Sequence, residues 1–448
     1  MTRELVLGIL LEVTKDGEYS HIALRNVLNK YQYLDKKDRA FITRVTEGTL
    51  ERMIEMDYII NQFSNVKVNK MKPVIRCILR SSVYQIKYMD AVPDSAVCNE
   101  AVKLAAKKGF HNLKGFVNGV LRNIVRNKDS ITYPDKSDYK NYLSVKYSMP
   151  LWILEHWLSS YSKDVVEKML NAFLEEKPTT IRCNLNQCTA DELVQSLEKE
   201  GVHVEKHPYI PYALWISSYN YLAELESFQK GMFYVQDISS MLVAALANPK
   251  KGDMVIDVCA APGGKALHMA ELLKGTGNVE ARDLTDYKVN LIEDNISRTG
   301  VKNMSALKWD ATILDESAVE TADIVIADLP CSGLGVLGKK TDLKYKLTAE
   351  GQKDLVLLQR TILSKVQSYV KEGGSLVYST CTIHKKENIE NVHWFLEEYP
   401  EYQLDSIKEQ LCDELKCDVQ ENGCLQLLPG IHESDGFFIA KFKKVKHG

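Results

Sequence analysis

Three apolar runs, each followed by a loop of small or polar residues, constrain the fold of this chain more than any other feature. Their sequences are Met254-Val-Ile-Asp-Val, Ala322-Asp-Ile-Val-Ile-Ala-Asp328 and Ser375-Leu-Val-Tyr-Ser-Thr380. Short apolar runs bounded by turn residues are typical of buried strands. In an open parallel sheet, the carboxyl ends of the strands form the edge at which ligands bind. The three loops therefore predict one composite binding site.

Strands and helices alternate regularly through the second half of the chain. Strands are predicted near residues 254–260, 278–284, 322–329 and 375–381, and helices near 264–273, 286–299, 353–371 and 386–398. Alternation at this spacing favours a doubly wound, mostly parallel sheet with helices on both faces. The predicted fold class of this region is therefore α/β.

At 448 residues the chain is long enough for two or three domains, because single cores stop growing at roughly 250 to 300 residues. Residues 1–130 have helical periodicity throughout and predict about five to seven helices, with Pro73 and Pro93 at helix starts. A polar stretch without periodicity predicts a linker near residues 127–138. Mixed strand-like and helical runs predict a small α+β module over residues 145–235, which leaves 236–448 as the α/β domain.

The formal net charge of -3 conceals an asymmetry. Residues 1–130 contain 22 Lys+Arg against 14 Asp+Glu, a net charge of +8, and the rest of the chain has a net charge of -11. A basic helical region on a mildly acidic protein is a reasonable footprint for a polyanion such as RNA. A helical domain with solvated lysines explains the charge equally well.

Several classes of protein are disfavoured by composition. No apolar run reaches about 18 residues, so we expect no membrane-spanning helix and no membrane partner. The first residues lack the pattern of an export signal, so we do not expect export, and ten cysteines without framework spacing suggest reduced thiols in a cytoplasmic protein. The spacing of Cys412, Cys417, Cys424 and His432 matches no usual zinc site, and we expect no metal.

The loop after the first apolar run has the composition of a ligand-binding turn between a strand and a helix. Its small residues would let backbone N–H groups and a helix N-terminus approach a ligand. It matches neither a P-loop nor the three-glycine dinucleotide fingerprint, and a purely structural turn is the alternative. The loop consists of Cys259, Ala260, Ala261, Pro262, Gly263, Gly264 and Lys265.

Three acids follow later strands. Asp283 ends the next predicted strand, where a carboxylate can accept hydrogen bonds from both hydroxyls of a ribose. A nucleoside site without a phosphate requirement suggests S-adenosylmethionine. Asp310 lies in the following loop and could reach the adenine edge or the sulfonium end, or could be a solvated loop acid. Asp328 precedes Pro330 at a strand end, and a carboxylate there rarely lacks a partner.

Two cysteines occupy adjacent loops of the predicted edge. Cys331 follows the second apolar run and Cys381 follows the third. A single cysteine at a strand end is commonly just a buried thiol. Two thiols facing one pocket instead suggest covalent catalysis, with a thiolate as the nucleophile.

The motifs Cys-Ala-Ala-Pro-Gly-Gly-Lys, Asp-x-Pro-Cys-Ser-Gly and Ser-Thr-Cys-Thr, in this order, resemble those of RNA cytosine-5 methyltransferases. The ending from Leu428 to Lys441 is similar to that family's C-terminal segment. In front, Asp38-Arg-Ala-Phe and Phe116-Val-Asn-Gly-Val-Leu-Arg-Asn-Ile resemble the NusB-like helical domain of the bacterial RsmB branch. The resemblance covers essentially the whole chain.

The resemblance implies a Rossmann-like class I methyltransferase domain that binds S-adenosylmethionine through residues 259–265, Asp283, Asp310 and Asp328. It implies that Cys381 adds to C6 of a cytosine and that Cys331 assists product release. Asp328 would hydrogen-bond N3 and the amino group of the base. The implied substrate is small-subunit (16S) ribosomal RNA, which the NusB-like domain and the small module would bind. We expect a monomer that binds no DNA.

Two departures from the family pattern leave cofactor affinity open. Leu329 replaces a frequent alanine, and Lys288 stands where an arginine is common.

Three alternatives to the implied function also remain. The roles of Cys331 and Cys381 could be exchanged, because a Pro-Cys pair holds the nucleophile in DNA cytosine-5 methyltransferases. The target could be transfer RNA. The chain could also be an inactive assembly factor, although intact Cys331, Cys381 and Asp328 argue against that.

Overall fold

The computed structural model describes residues 1–445, and their contacts divide into two compact units. The first comprises Met1–Leu174 and Leu337–Leu347, and the second comprises Glu175–Val336 and the chain from Thr348 onward. No helix in the described residues has the length and hydropathy required to cross a membrane.

The secondary structure is mainly helical up to residue 174 and mixed after it. The first ten helices are α1 (Thr2–Thr14), α2 (Ser20–Lys30), α3 (Lys36–Glu51), α4 (Met53–Phe63), α5 (Pro73–Tyr88), α6 (Asp94–Lys107), α7 (Lys114–Arg126), α8 (Tyr139–Lys146), α9 (Leu151–Ser160) and α10 (Lys163–Ala172). The later helices are α11 (Ala190–Lys199), α12 (Glu226–Gln229), α13 (Ile238–Ala247), α14 (Gly264–Leu272), α15 (Asp286–Thr299), α16 (Leu343–Lys346), α17 (Ala349–Val366), α18 (Ile389–Glu398) and α19 (Asp413–Lys416). The strands are β1 (Thr179–Cys183), β2 (His203–Lys206), β3 (Ala213–Ser217), β4 (Phe233–Val235), β5 (Met254–Asp257), β6 (Asn278–Asp283), β7 (Met304–Lys308), β8 (Ala322–Asp328), β9 (Val370–Thr380), β10 (Tyr402–Leu404), β11 (Val419–Gln420), β12 (Cys424–Leu427) and β13 (Phe437–Lys444).

Helix α5 lies at the centre of the helical unit. It packs against α1, α3, α4, α6 and α7, and every residue from Cys77 to Ile86 is buried. Pro73 occupies its first turn, where a missing N–H leaves no helical bond unmade. Pro93 directly precedes α6. Both proline positions and the helical bundle agree with the sequence prediction.

The segment Leu337–Leu347 belongs to the helical unit although it lies between β8 and β9 in the sequence. Asp342 accepts hydrogen bonds from the Ser20 N–H at 3.1 Å and from its hydroxyl at 2.6 Å. Lys344 is buried and donates to the carbonyl of Glu51 at 2.8 Å. Burial lowers the pKa of Lys344 to about 7. The sequence pattern did not predict this segment, because its partners are more than 290 residues away.

The small module is a four-stranded antiparallel sheet with strand order β2-β3-β1-β4. Helix α11 begins with a capping box formed by Thr189 and Glu192, and its Leu193 and Leu197 enter the module's core. The strands begin only at Thr179, and α8 to α10 group with the helical unit. The domain limits 1–130, 145–235 and 236–448 themselves stay predictions.

The large sheet has the strand order β11-β12-β13-β9-β8-β5-β6-β7, and β10 pairs with β13. Strands β9, β8, β5, β6 and β7 are parallel, whereas β13 pairs with β9 antiparallel. The chain runs outward from β5 through β6 to β7, then returns to the other side of β5 as β8. Strand order therefore reverses at β5 and β8, the position at which open α/β sheets bind ligands.

Alternate residues of the central strands enter two different cores. Val255 of β5 and Ile326 of β8 pack in one core, whereas Ile256 and Val325 pack in the other. Because side chains alternate across a strand, these two cores lie on opposite faces of the sheet. Burial on both faces explains why the two runs are apolar throughout.

The predicted elements of this sheet differ from the observed ones mainly at their ends. Strand β9 begins at Val370, five residues before its predicted start, because Gly373 and Gly374 continue the strand and do not end it. At Gly374, a Cβ atom would lie 2.8 Å from the carbonyl of Asp323. Helix α18 begins at Ile389, later than predicted. The pattern also missed the parallel strand β7, helix α13 and the antiparallel strands after β9.

Candidate active site

Strands β8 and β9 end side by side and bring the two predicted cysteines together. The strands pair in parallel with Asp328 opposite Ser379, so the loops after them begin at the same level. The sulfur atoms of Cys331 and Cys381 lie 3.0 Å apart. One thiol can therefore donate a hydrogen bond to the other sulfur.

The charges around the two sulfur atoms differ. The hydrogen bond to Cys381 raises the pKa of Cys331 well above its ordinary value, and burial and the carboxylates of Glu387 and Asp328 raise it further. The pKa of Lys265 is raised. Burial acts to lower this pKa, but Asp328 and the Cys381 sulfur are among the groups that raise it and outweigh burial. A negative charge on Cys381 thus faces a cation, whereas one on Cys331 would face carboxylates. These surroundings favour a proton on Cys331.

Asp328 is held by two groups at the end of β8. Lys265 donates from Nζ to Oδ2 at 2.7 Å, and the hydroxyl of Ser379 donates to Oδ1 at 2.8 Å. The Lys265 ammonium also lies 5.5 Å from the centre of the Phe437 ring. Lys265 therefore joins the loop after β5 to the acid beside the cysteines. The sequence alone left open a purely local role for this lysine.

Asp283 ends β6 and is only 3% exposed. Its Oδ2 accepts a hydrogen bond from the N–H of Ala261 at 2.9 Å, and Lys288 lies 2.9 Å from its Oδ1. Gly263 has φ of +102°, in the left-handed region that favours glycine, and α14 begins at Gly264. The loop after β5 is thus folded against a carboxylate at the same edge of the sheet.

The other predicted residues of this edge have more local contacts. One oxygen of Asp310 accepts from the N–H of Thr312 at 2.9 Å and from its hydroxyl at 2.7 Å. Ala260 donates to the carbonyl of Arg282 at 2.8 Å, and the Pro262 carbonyl accepts from Asn295 at 3.0 Å. The Ala260 bond joins the loop after β5 to β6, whereas the bonds of Asp310 stay within its own loop.

Two buried acids were given no role in the sequence analysis. Asp257 ends β5 and is 0% exposed, and burial raises its pKa to about 7 against the opposing effect of Lys265. Burial, followed by the charge of Asp257, also raises the pKa of Cys259, so this thiol stays protonated. Glu387 is likewise 0% exposed and accepts hydrogen bonds from Ser332, the residue after Cys331. In the sequence, Asp257 and Glu387 are distinguished only by lying near one of the motifs.

The described residues contain no group of three or more His, Cys, Asp or Glu side chains that could hold a metal ion. Cys424 is buried in β12, Cys417 is exposed, and His432 is paired with Asp418 at 3.3 Å. Cys412, the fourth residue considered for zinc, is half-buried and directly precedes α19.

A basic groove of about 490 Å³ lies between α6 and α7 of the helical unit. Arg122 donates to Asn118 at 3.0 Å, and Lys103 pairs with Glu100 at 2.8 Å. No side chain rises from Gly115, where a Cβ atom would meet nothing within 4 Å. The net charge of residues 1–130 indicates a basic region but not where on the helical unit it lies. The groove is lined by Asn99, Val102, Lys103, Lys114, Gly115, Asn118 and Arg122.

Comparison with known proteins gives one answer over the whole chain. Residues 244–443 match the family described as 16S rRNA methyltransferase RsmB/F, residues 1–126 match the NusB family, and residues 149–221 match a ferredoxin-like domain of RsmF/B-like methyltransferases. The chain is 36% identical to the probable ribosomal RNA small subunit methyltransferase B of Bacillus subtilis (strain 168), over 99% of this chain and 98% of that protein. The chain belongs to the RsmB/F family.

Other relatives are similar to this chain in sequence or in structure. A probable small subunit methyltransferase B of Synechocystis sp. is 31% identical over 99% of each protein. The crystal structure of PH0851 has a TM-score of 0.83 and 26% identity, over 99% of this chain and 98% of that one. NSun6 from Pyrococcus horikoshii with SFG has a TM-score of 0.58 and 25% identity, over 65% of this chain and 97% of that one. The predicted combination of a NusB-like domain, a small α+β module and a mostly parallel methyltransferase sheet is confirmed.

The cofactor of this RsmB/F chain is S-adenosylmethionine, as predicted. The residues present fit it: the Asp283 carboxylate would accept hydrogen bonds from ribose hydroxyls, and the glycine turn brings backbone close to the same edge. Lys288, which departs from the family pattern, contacts Oδ1 of Asp283. Among the contacts described, Oδ2 of Asp283 accepts a hydrogen bond only from the N–H of Ala261.

Replacing Asp257 with asparagine should change the pH dependence of stability. The pKa of this carboxyl is raised from 3.8 to about 7, so the folded state keeps the proton longer than the unfolded state. Its contribution to stability is present below about pH 4 and is lost as the pH rises to about 7. We therefore expect the free energy of unfolding of Asp257→Asn, relative to that of the wild type, to increase between about pH 4 and pH 7 and then to level off. Urea titrations across it, with the exposed Asp294→Asn as control, measure this. A difference independent of pH would contradict the raised pKa.

Proposed function

We propose that this protein methylates C5 of a cytosine in small-subunit (16S) ribosomal RNA through a covalent cysteine adduct. The observation that carries the proposal is the pair of sulfur atoms 3.0 Å apart, beside an acid, at the switch point of an RsmB/F sheet. S-adenosylmethionine supplies an electrophilic methyl group on its sulfonium. The residues of the chain must then make cytosine C5 nucleophilic, because C5 is unreactive in the free base.

Cys381 is the nucleophile in this proposal. Its thiolate adds to C6, which makes C5 enamine-like and able to accept a methyl group. The charge pattern supports this assignment over the exchanged one, because Cys381 raises the pKa of Lys265 whereas Cys331 faces Glu387 and Asp328. A thiolate is stabilised beside an ammonium and destabilised beside carboxylates.

Cys331 is the group that permits release. Its sulfur lies 3.0 Å from the sulfur that carries the adduct in this proposal. After the Cys331 proton is lost to solvent, the thiolate can accept the proton from C5. Departure of that proton re-forms the C5–C6 double bond and expels the Cys381 thiolate.

Asp328 and Lys265 serve the base in this proposal. The Asp328 carboxylate can accept a hydrogen bond from the exocyclic amino group of cytosine. Lys265, 2.7 Å from that carboxylate, places a positive charge where negative charge develops on the ring as the thiolate adds. Asp283, Asp310 and residues 259–265 form the cofactor side of the same edge.

RNA binding is assigned to residues 1–130 and to the small module of residues 145–235. The basic groove between α6 and α7 supports this, because it presents lysine, arginine and amide donors to a phosphate backbone. We expect a monomer acting in the cytoplasm, without DNA. Methylation of transfer RNA would keep the same chemistry, and bisulfite sequencing of total RNA with and without the gene distinguishes the two targets.

Asp283→Ala should weaken binding of S-adenosylmethionine by about 1.5 to 3 kcal/mol, the range for losing hydrogen bonds to a charged group. Calorimetric titration of the cofactor into both proteins measures this. The exposed acid Asp286, three residues on, is the matched control as Asp286→Ala. Equal affinity in Asp283→Ala and wild type would remove Asp283 from the cofactor site.

Replacing Lys114 and Arg122 of the groove with alanine should weaken binding of small-subunit ribosomal RNA and flatten its salt dependence. Each lost phosphate contact lowers the log–log salt slope by about 0.7 to 0.9. Filter binding of the full chain over a range of salt concentrations measures both effects. Lys70→Ala, outside the groove, should leave the slope unchanged. An unaltered slope in the double variant would place the RNA elsewhere.

The two cysteine variants should behave differently. Cys381→Ala should abolish both turnover and any covalent RNA adduct, whereas Cys331→Ala should block turnover and accumulate the adduct. A denaturing gel of protein, RNA and S-adenosylmethionine detects the adduct as a slow band that nuclease removes. An adduct in Cys381→Ala and none in Cys331→Ala would exchange the roles. Full methylation by both variants would remove thiol catalysis from the proposal.

A further inference from the structure

Glu387 accepts four hydrogen bonds around the loop that contains Cys331. Ser332 donates to it from its N–H at 2.8 Å and from its hydroxyl at 2.5 Å. Gln352 and Gln359 of α17 donate from their side-chain amides at 3.3 and 3.1 Å. The carboxylate is 0% exposed. A buried carboxylate with this many donors constrains all of them, because each would otherwise lose its partner.

These bonds hold the chain on both sides of Cys331. Ser332 follows the cysteine and is bound by Glu387 directly. Pro330 precedes it, and its carbonyl accepts a hydrogen bond at 2.9 Å from Gln359, the same amide that donates to Glu387. The position of the Cys331 sulfur therefore depends on one carboxylate that lies 56 residues further along the chain.

Cys381 has supports that do not pass through Glu387. Thr380 is the last residue of β9 and pairs with Phe438 of β13. Its hydroxyl donates to Asn388 at 2.6 Å, and Asn388 donates to the carbonyl of Thr382 at 3.0 Å. The direct links to the Cys331 loop include the 3.0 Å contact of the two sulfur atoms, the 3.0 Å hydrogen bond from the Gly335 N–H to the Cys381 carbonyl, and the 2.8 Å contact between the hydroxyls of Thr382 and Ser332. Loss of Glu387 should thus displace Cys331 more than Cys381.

We propose that Glu387 is a positioning residue for product release: it holds the Cys331 thiol at the distance from Cys381 that the release step needs. This inference rests on the proposed function. Attack by Cys381 and methyl transfer should survive without Glu387, whereas removal of the C5 proton should slow. A misplacement of about 1 Å at a reacting group can cost about 10²-fold in rate.

Glu387→Ala should therefore accumulate the covalent RNA adduct, as Cys331→Ala does, with release about 10- to 100-fold slower and the first methyl transfer nearly unchanged. Single-turnover transfer and adduct decay are measured separately. Glu387→Gln, which keeps one acceptor for Ser332, should restore most of the release rate. Glu390→Ala, at an exposed position of α18, is the matched control.

A second variant keeps the test decisive if Glu387→Ala does not fold. Gln359→Leu removes the hydrogen bond to Pro330 and one of the four to Glu387, and should accumulate the adduct more weakly. Folded variants of both residues without excess adduct, beside a Cys331→Ala control that does accumulate it, would overturn the inference. Absence of adduct in Cys331→Ala itself would instead count against the proposed function.

Discussion

The parallel pairing of β8 with β9 is the constraint on which the active site depends. Because Asp328 lies opposite Ser379, the two loops leave the sheet at one level, and their cysteines meet at 3.0 Å. The neighbouring strand β5 leads into residues 259–265, and Lys265 binds Asp328. A shift of one residue in the pairing of β8 with β9 would turn the side chains of one strand, such as Asp328, to the opposite face of the sheet.

The pair of sulfur atoms has different surroundings on its two sides, and this difference assigns the proposed roles. A charged Cys381 is near the ammonium of Lys265, whereas Cys331 is near two carboxylates and stays protonated while Cys381 is free. In the proposed mechanism, the 3.0 Å contact places Cys331 beside the sulfur that carries the adduct.

Much of this site was predictable because its residues lie at the ends of apolar strands. Cys331 and Cys381 each follow such a run, whereas Asp283 ends the strand Asn-Val-Glu-Ala-Arg-Asp, which is only partly apolar. The pairing of Lys265 with Asp328 was not predictable, since 63 residues separate them and nothing local distinguishes a partner from a solvated lysine. Glu387 has no periodic pattern around it. Its hydrogen bonds form only where α17 and the Cys331 loop come together.

In the fold, too, some elements follow from local sequence and others depend on contacts between distant residues. The two central strands and the prolines of α5 and α6 follow from local physics, and they were found at the expected positions. The early start of β9 was missed because Glu372-Gly-Gly has the composition of a turn, yet the pair continues the strand. The segment Leu337–Leu347 was missed because its affiliation with the helical unit depends on contacts with distant residues such as Ser20.

The central claim is that the methyl group is added to C5 of cytosine, and the fate of the C5 hydrogen tests it most directly. Small-subunit ribosomal RNA with tritium at C5 of its cytosines is incubated with the protein and S-adenosylmethionine. Released tritium and transferred methyl groups are then counted in the same sample. The account predicts one tritium released to water for each methyl group transferred. Methyl transfer with the tritium fully retained would contradict it, because the acceptor atom would then lie elsewhere.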